Sequence, residues 1–257
     1  MKITCILLVL LSLMLSGCIS GNGTQGASTI DSTTPYEPKP GSNEIDMSVI
    51  QSYLADYRHK SDAELNAAMD ETDYNKRAAA SYVRLERADV PVSEYGVTVV
   101  ETRYLSDPKS AGWGFSLLGS LASLDIGKVT IEYDVLDYVE KNPQDPNCDY
   151  ALWALGETGD TTALDQFIRI GSNPRTYGPR ARERSFCCIS QCGRYSGATR
   201  FENVPRILKI ASSISDPQTQ GWCLMALPTM APGVHFGTIA EWQKWWDGQA
   251  RLKGLNP

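Results

Sequence analysis

A glycine that recurs about every 37 residues is the feature that most constrains how this chain can fold. Gly119, Gly156 and Gly193 each end a short run with helical apolar spacing, and residues 224–227 fall one residue short of the next interval. A second segment with apolar residues at three- and four-residue steps follows each run, which is the spacing of an amphipathic α-helix. Because a fixed period of this length is the signature of stacked repeats, the sequence predicts helices that pack in pairs.

Short dipeptides that end in proline separate the predicted helices. The four dipeptides are Asp107-Pro108, Asp145-Pro146, Asn173-Pro174 and Asp216-Pro217. Proline cannot continue a helix but fits well in its first turn, so each dipeptide marks a boundary between two helices. Ser61 is predicted to begin a further helix, because Glu64 three residues later completes a capping box.

Two segments would favour β-strands if they stood alone. Residues 96–100 and 129–133 are rich in β-branched side chains, which pack well in a sheet. Both continue into segments with helical spacing, and the repeat requires helices at these positions. The predicted fold class is therefore all-α.

The best-defined unit spans residues 150–169, with the sequence YALWALGETGDTTALDQFIR. It resembles a HEAT repeat of the short, PBS-lyase-like kind, in which an alanine-rich first helix ends in Ala-Leu-Gly and a Gly-Asp turn leads to the second helix. On this reading Gly156 and Gly159 supply the turn conformations, and Asp160 caps the second helix.

The resemblance is strong over residues 146–172, moderate over 174–250 and weak but in register over 70–145. It implies that residues 46–257 form an α-solenoid of about four to five HEAT-like helical hairpins. Three tryptophans near the C-terminus are expected to close the last exposed face of the stack, namely Trp242, Trp245 and Trp246.

The N-terminus combines Lys2, a short apolar run and the ending LSGC at positions 15–18. A charged start followed by a short apolar stretch and small residues is typical of a secretory signal. The ending resembles the lipobox of prokaryotic lipoproteins, in which the signal is removed and the cysteine receives acyl chains such as palmitate. This resemblance implies that residues 1–17 are a lipoprotein signal peptide and that Cys18 is the lipid attachment site.

Residues 18–45 are rich in Ser, Thr, Gly and Pro and poor in large apolar groups. Such a segment cannot bury enough surface to offset its chain entropy, so we predict a lipidated flexible linker. The formal net charge of −6 argues against a nucleic-acid partner. The expected partners are the membrane, through the lipid on Cys18, and a protein. The expected location is the cell membrane or outer membrane, outside the cytoplasm.

Five cysteines remain in the body of the chain: Cys148, Cys187, Cys188, Cys192 and Cys223. No second pair of ligands accompanies the cluster at 187–192, so the spacing does not indicate a metal site. Most of these positions are expected to be buried packing positions. A single disulfide remains an alternative, because an extracytoplasmic compartment permits one.

The sequence contains no Gly-x-Ser-x-Gly, no His-Glu-x-x-His and no phosphate-binding glycine loop, which are signatures of several enzyme classes. We therefore expect no catalytic activity and no cofactor. Two alternatives stay open. One is an enzyme or pigment-handling protein of the PBS-lyase HEAT type, since some relatives of this repeat type attach bilins. The other is a purely structural envelope lipoprotein.

Four basic residues lie near the ends of successive predicted second helices: Arg103, Lys141, Arg169 and Lys209. In HEAT arrays the second helix lines the concave groove, so the resemblance implies a basic ladder that could bind an acidic partner. Cations at these positions also complement the helix macrodipole, and this alternative stays open. The expected function is a noncatalytic protein-binding or scaffold module held at the membrane.

Overall fold

The regular structure of this chain is helical wherever it is described. The computed structural model describes residues 35–37, 45–69, 71, 73–191 and 197–254, and no β-strand occurs among them. The prediction of an all-α fold is confirmed, and both segments rich in β-branched residues are helical. The predicted signal peptide, Cys18, Cys192 and most of the predicted linker lie outside the described residues.

The helices follow one another with short connections. In chain order they are α1 (Met47–Tyr57), α2 (Asp62–Ala68), α3 (Tyr74–Arg87), α4 (Glu94–Val100), α5 (Pro108–Ala122), α6 (Lys128–Lys141), α7 (Cys148–Thr158), α8 (Thr161–Gly171), α9 (Pro179–Gln191), α10 (Gly197–Glu202), α11 (Val204–Ser213), α12 (Pro217–Met230) and α13 (Ile239–Leu252). A π-helical turn, Glu101–Leu105, continues α4.

The helices pack largely in chain order. In the series α3, α5, α7, α9 and α12, each helix packs against the next. The helices between them fill the gaps: α6 packs on α5 and α7, α8 packs on α7 and α9, and α11 packs on α12 and α13. The N-terminal helices α1 and α2 both pack on α3. Most of the core is therefore built from segments that are close in sequence.

The predicted helix starts are confirmed at the level of individual hydrogen bonds. Ser61 and Glu64 form the predicted capping box, with the Ser61 N–H donating to Glu64 Oε2 at 2.7 Å. Asp107 and Asp216 cap α5 and α12, and a proline occupies the first turn of each helix. The carboxylate of Asp160 accepts a hydrogen bond from Thr162 N at 2.8 Å and so caps α8. These contacts are local, which is why the sequence predicts them.

Two of the three repeated glycines, Gly119 and Gly156, lie inside helices rather than in turns, and Gly193 lies outside the described residues. Gly156 falls within α7, which ends at Thr158 with Gly159 as its C-cap, so the assignment of Gly156 to the turn was wrong. Gly159 does take the left-handed conformation, with φ of +67°. Gly119 lies within α5, where an added Cβ would overlap the ring of Trp153 in α7. At this position glycine is needed because the bulky ring of Trp153 packs directly on the helix backbone.

The C-terminal end of the core is aromatic. Trp242, Trp245 and Trp246, the residues expected to close the last exposed face, are all buried there. The ring of Phe201 lies 5.2 Å from that of Trp246 and 6.2 Å from that of Trp245. These rings belong to the larger of two hydrophobic clusters, which extends from α3 to α13.

Part of the predicted linker contacts this aromatic end. The ring of Tyr36 stacks on Phe201 with centroids 5.1 Å apart and meets the edge of Trp245 at 5.9 Å. The Tyr36 N–H donates to Gln249 Oε1 at 2.6 Å. We expected the whole linker to be free of the folded part, and Tyr36 differs because its ring finds an apolar surface on which to pack.

Gly119→Ala is expected to lower the free energy of unfolding by about 1–3 kcal/mol, because the new methyl group must displace Trp153 in a packed interface. Denaturant unfolding followed by circular dichroism measures the change. Gly221→Ala is the matched control, since Gly221 also lies in a helix and nothing lies within 4 Å of its added Cβ. The control is expected to be neutral or to stabilise by roughly 0.5–1 kcal/mol. Equal effects of the two variants would contradict the packing role of Gly119.

Candidate functional site

Two residues of the predicted basic ladder, Arg103 and Lys141, each lie close to a carboxylate from the same part of the chain. In α6, Lys141 Nζ lies 2.8 Å from Asp137 Oδ2, one turn earlier in the same helix. In the π-helical turn, Arg103 Nη1 lies 3.9 Å from Asp89 Oδ2 and donates to the Asp89 carbonyl oxygen at 3.2 Å. Both cations are exposed, but part of their charge is already balanced.

Arg169 joins two neighbouring helices. From α8 its guanidinium forms an ion pair with Glu140 of α6 and donates to the hydroxyl oxygen of Tyr177 at 2.6 Å. The Tyr177 hydroxyl in turn donates to Glu140 Oε1 at 2.9 Å. Burial alone would raise the pKa of Glu140, but the hydrogen bonds from Arg169 and Tyr177 outweigh it and lower that pKa. Arg169 therefore has a structural role at the α6–α8 contact.

Further polar contacts link the second helices of the predicted hairpins. Thr162 Oγ1 of α8 donates to Glu132 Oε1 of α6 at 2.8 Å, and Arg206 of α11 lies 2.7 Å from Asp165 of α8. Lys209 of α11 is exposed and takes part in no ion pair within the described part of the chain. Of the predicted ladder, Lys209 is thus the cation most available to an external partner.

The contact between the π-helical turn and α6 brings two carboxyl groups together. Burial raises the pKa of Asp134 in α6 to about 7, and both a hydrogen bond with Glu101 and the negative charges of Glu101 and Asp137 act in the same direction. A carboxyl pair of this kind is favourable only while it holds a proton. The stability of the contact between the π-helical turn and α6 therefore depends on pH in the neutral range.

Among the described residues, the most exposed large apolar side chains lie on α6 and beside it. Val129 is 84% exposed and Tyr133 is 72% exposed, and their four-residue spacing places them on the same face of α6. Tyr95 of α4 is 67% exposed. It lies near the start of α6, because the adjacent Glu94 accepts a hydrogen bond from Gly127 N at 3.0 Å. Tyr95, Val129 and Tyr133 are called the apolar patch below.

The apolar patch was not predicted from the sequence. Val129 belongs to a run that was interpreted through its β-branched character, and Tyr133 belongs to the same run. A signal was present, since both side chains lie off the stripe formed by Ile131, Val135 and Val139, which are the buried residues of α6. Apolar residues on the polar face of a helix indicate a surface that contacts something other than the helix's own core.

A strip of polar side chains is buried where α3 packs against α5 and α7. The guanidinium of Arg77 in α3 pairs with the carboxylate of Glu157 in α7, and both side chains are buried. One turn further along α3, Ser81 Oγ lies 2.6 Å from Ser123 Oγ of α5. Buried charges are tolerated when they are paired and hydrogen-bonded, so this strip fixes how α3 sits on its neighbours.

The cysteines of the described part are buried thiols: Cys148, Cys187, Cys188 and Cys223. Burial raises the pKa of Cys148 and of Cys223 to about 12, which makes both poor nucleophiles and poor metal ligands. No group of three or more His, Cys, Asp or Glu side chains in the described part is arranged to hold a metal ion. Any pairing with Cys192 lies outside the described residues.

The chain matches no protein-family model, no curated protein and no solved structure. None of the helices in the described part is both long enough and apolar enough to cross a membrane.

Asp134→Asn is expected to stabilise the fold at pH 8 by about 1 kcal/mol relative to the native chain, a value that allows for solvent screening of a partly exposed group. At pH 4 the two proteins should be equally stable. The raised pKa means that protonated Asp134 stabilises the fold. This contribution is complete below about pH 4 and is lost as the pH rises to about 7. Denaturant unfolding across this range measures the difference.

Glu101→Gln removes the other half of the carboxyl pair and should reproduce the same pH dependence. A stability difference between Asp134→Asn and the native chain that stays constant from pH 4 to pH 8 would contradict the carboxyl pair.

Proposed function

We propose that this chain is a lipid-anchored helical-repeat protein that binds a protein partner at the cell envelope without catalysing a reaction. The proposed arrangement is an α-solenoid of HEAT-like hairpins formed by α5–α6, α7–α8, α9–α11 and α12–α13, with α3–α4 as a fifth pair. The packing of α3, α5, α7, α9 and α12 in chain order supports it. The close approach of Gly119 to Trp153 of the following hairpin supports it as well.

The proposed membrane location rests on the lipobox-like ending at positions 15–18, with Cys18 as the acylated residue. On this proposal the protein is held at the cell membrane or outer membrane, outside the cytoplasm, by its acyl chains. The contacts of Tyr36 with Phe201 and Gln249 bring the segment that follows the anchor against the C-terminal end of the helical domain. On this proposal, the C-terminal end of the helical domain is the part that contacts the segment leading from the lipid anchor.

The observation that carries the binding function is the apolar patch. Exposed tyrosine and valine side chains gain free energy when a partner covers them, and tyrosine is enriched among the residues that dominate protein interfaces. Next to the patch, α6 also carries Glu132, which forms no ion pair in the described part of the chain, whereas Asp137 and Glu140 are paired with Lys141 and Arg169. A partner with apolar anchors and a basic side chain opposite Glu132 fits this surface best.

The basic ladder takes a smaller part in this proposal than the sequence suggests. Arg169 would have to give up Glu140 before it could bind an acidic partner, and Lys141 would have to give up Asp137. Lys209 is the ladder residue that has no ion-pair partner in the described part of the chain, so such a partner could gain an ion pair there. We therefore place the main contact on the apolar patch.

Crosslinking in intact cells, with mass spectrometry of the captured proteins, tests the proposal. A variant with Val129→Ser and Tyr133→Ser is expected to lose a specific crosslinked partner by at least about tenfold, because buried aromatic anchors contribute most of an interface's energy. The matched control combines Met225→Ser and Leu252→Ser, which alter exposed apolar residues on other helices. The control should retain the partner.

The same cells test the anchor, since Cys18→Ser should move the protein out of the membrane fraction. Equal recovery of the partner from the patch variant and the control would contradict binding through the patch and favour a purely structural lipoprotein. Visible absorbance of the purified protein would instead favour the pigment-handling alternative.

A further inference from the structure

Arg84 is a buried cation whose hydrogen-bond partners are neutral. It is 5% exposed, and its two terminal nitrogens donate to Ser116 Oγ at 2.6 Å and to Ser120 Oγ at 3.4 Å. Its Nε–H has no hydrogen-bond partner. No carboxylate in the described part of the chain forms an ion pair with it. Burial lowers the pKa of Arg84 to about 10 despite the opposing effect of the more distant Asp62, as expected for a cation without a close counter-ion.

A second buried arginine shows what Arg84 lacks. Arg182 of α9 lies 5.3 Å from the ring centroid of Trp222, much as Arg84 lies 5.1 Å from that of Trp113. Arg182 also reaches Asp216 Oδ2 at 3.4 Å, and its Nε–H donates to a backbone carbonyl oxygen at 3.1 Å. The two sites share the cation and the aromatic ring. In the described part of the chain, only the Arg182 site includes a carboxylate.

The ring that covers Arg84 is partly exposed to solvent. Trp113 is 43% exposed, whereas Trp222 is buried. On either side of Trp113 the α5 backbone is closely packed, since an added Cβ at Gly112 would meet Tyr150 and one at Gly114 would meet the side chain of Tyr104. The indole of Trp113 is thus a partly exposed cover on a firmly held helix, with the unpaired cation beneath it.

We propose that Arg84 and Trp113 form a binding site for a carboxylate group of a ligand. The Nε of Arg84 is buried, so the indole of Trp113 turns aside to admit the ligand. The carboxylate oxygens then accept from the free Nε–H and from a terminal N–H of Arg84, the two-pronged geometry that guanidinium and carboxylate groups favour. The serine hydroxyls keep the guanidinium oriented, and the indole covers the bound group. The bound carboxylate supplies the negative charge that the buried Arg84 guanidinium lacks. The attraction between the two charges is weakly screened because the site is buried.

This site lies on α3 and α5, apart from the apolar patch on α4 and α6, and does not depend on the function proposed above. The carboxylate can come from an acidic side chain of a peptide segment or from a small organic acid. Guanidinium recognition is the same for both, and size and affinity separate them.

The Nε–H resonance of Arg84 in two-dimensional 1H–15N NMR spectra, assigned by its absence in Arg84→Met, tests the site directly. One probe is a capped peptide with a central aspartate between leucines, and its control has asparagine at that position. The other probes are sodium benzoate and inorganic phosphate. We expect the resonance to shift saturably with the aspartate peptide or with benzoate. Tighter binding of the peptide indicates a protein source, and tighter binding of benzoate indicates a small acid.

Arg84→Met and Trp113→Ala are the binding variants, and both should weaken binding by at least about tenfold, since each removes one side of the site. Arg84→Met should still fold, because it replaces a buried unpaired charge with an apolar side chain of similar length, and Trp113→Ala alters a residue that is partly exposed. The proposal is overturned if neither carboxylate probe shifts the resonance. It is equally overturned if the asparagine peptide or phosphate shifts it as strongly as the carboxylates do.

Discussion

The buried ion pair between Arg77 and Glu157 sets how the two hydrophobic clusters of the core pack together. It joins α3 to α7 beside α5 and lies where the smaller hydrophobic cluster, built on α1 to α3, meets the larger one. An apolar contact alone would allow α3 to slide or rotate on its neighbours. A buried charge must find its partner, because an unpaired one costs several kcal/mol. The pair therefore selects one placement of α3.

That placement determines the geometry of the features discussed above. With Arg77 held against α7, the same face of α3 brings Ser81 to Ser123 and Arg84 to Ser116. The indole of Trp113 then lies over Arg84. In another part of the larger cluster's surface, α6 presents Val129 and Tyr133 to solvent. One packed body thus offers two surfaces of different chemistry, one apolar with acidic surroundings and one with a buried positive charge.

The sequence predicts those features whose causes are local. Apolar spacing identifies the helices, and the caps at Ser61, Asp107 and Asp160 form between residues two or three positions apart. Features with partners far along the chain are beyond such reasoning. Gly119 resembles a turn glycine until Trp153 is placed against it, and Arg169 resembles a groove cation until α6 brings Glu140 to it. The Arg84 site depends on the packing of α3 against α5 and leaves no local pattern.

A double-mutant cycle on the buried ion pair tests most directly the claim that this contact fixes the union of the two clusters. The variants are Arg77→Met, Glu157→Met and the double replacement, with the free energy of unfolding measured for each. Each single variant should lose about 3–5 kcal/mol, because it leaves one buried charge unpaired, and the double variant should lose much less than the sum. Losses that add to within about 0.5 kcal/mol would show that the two side chains act independently, and would contradict this account.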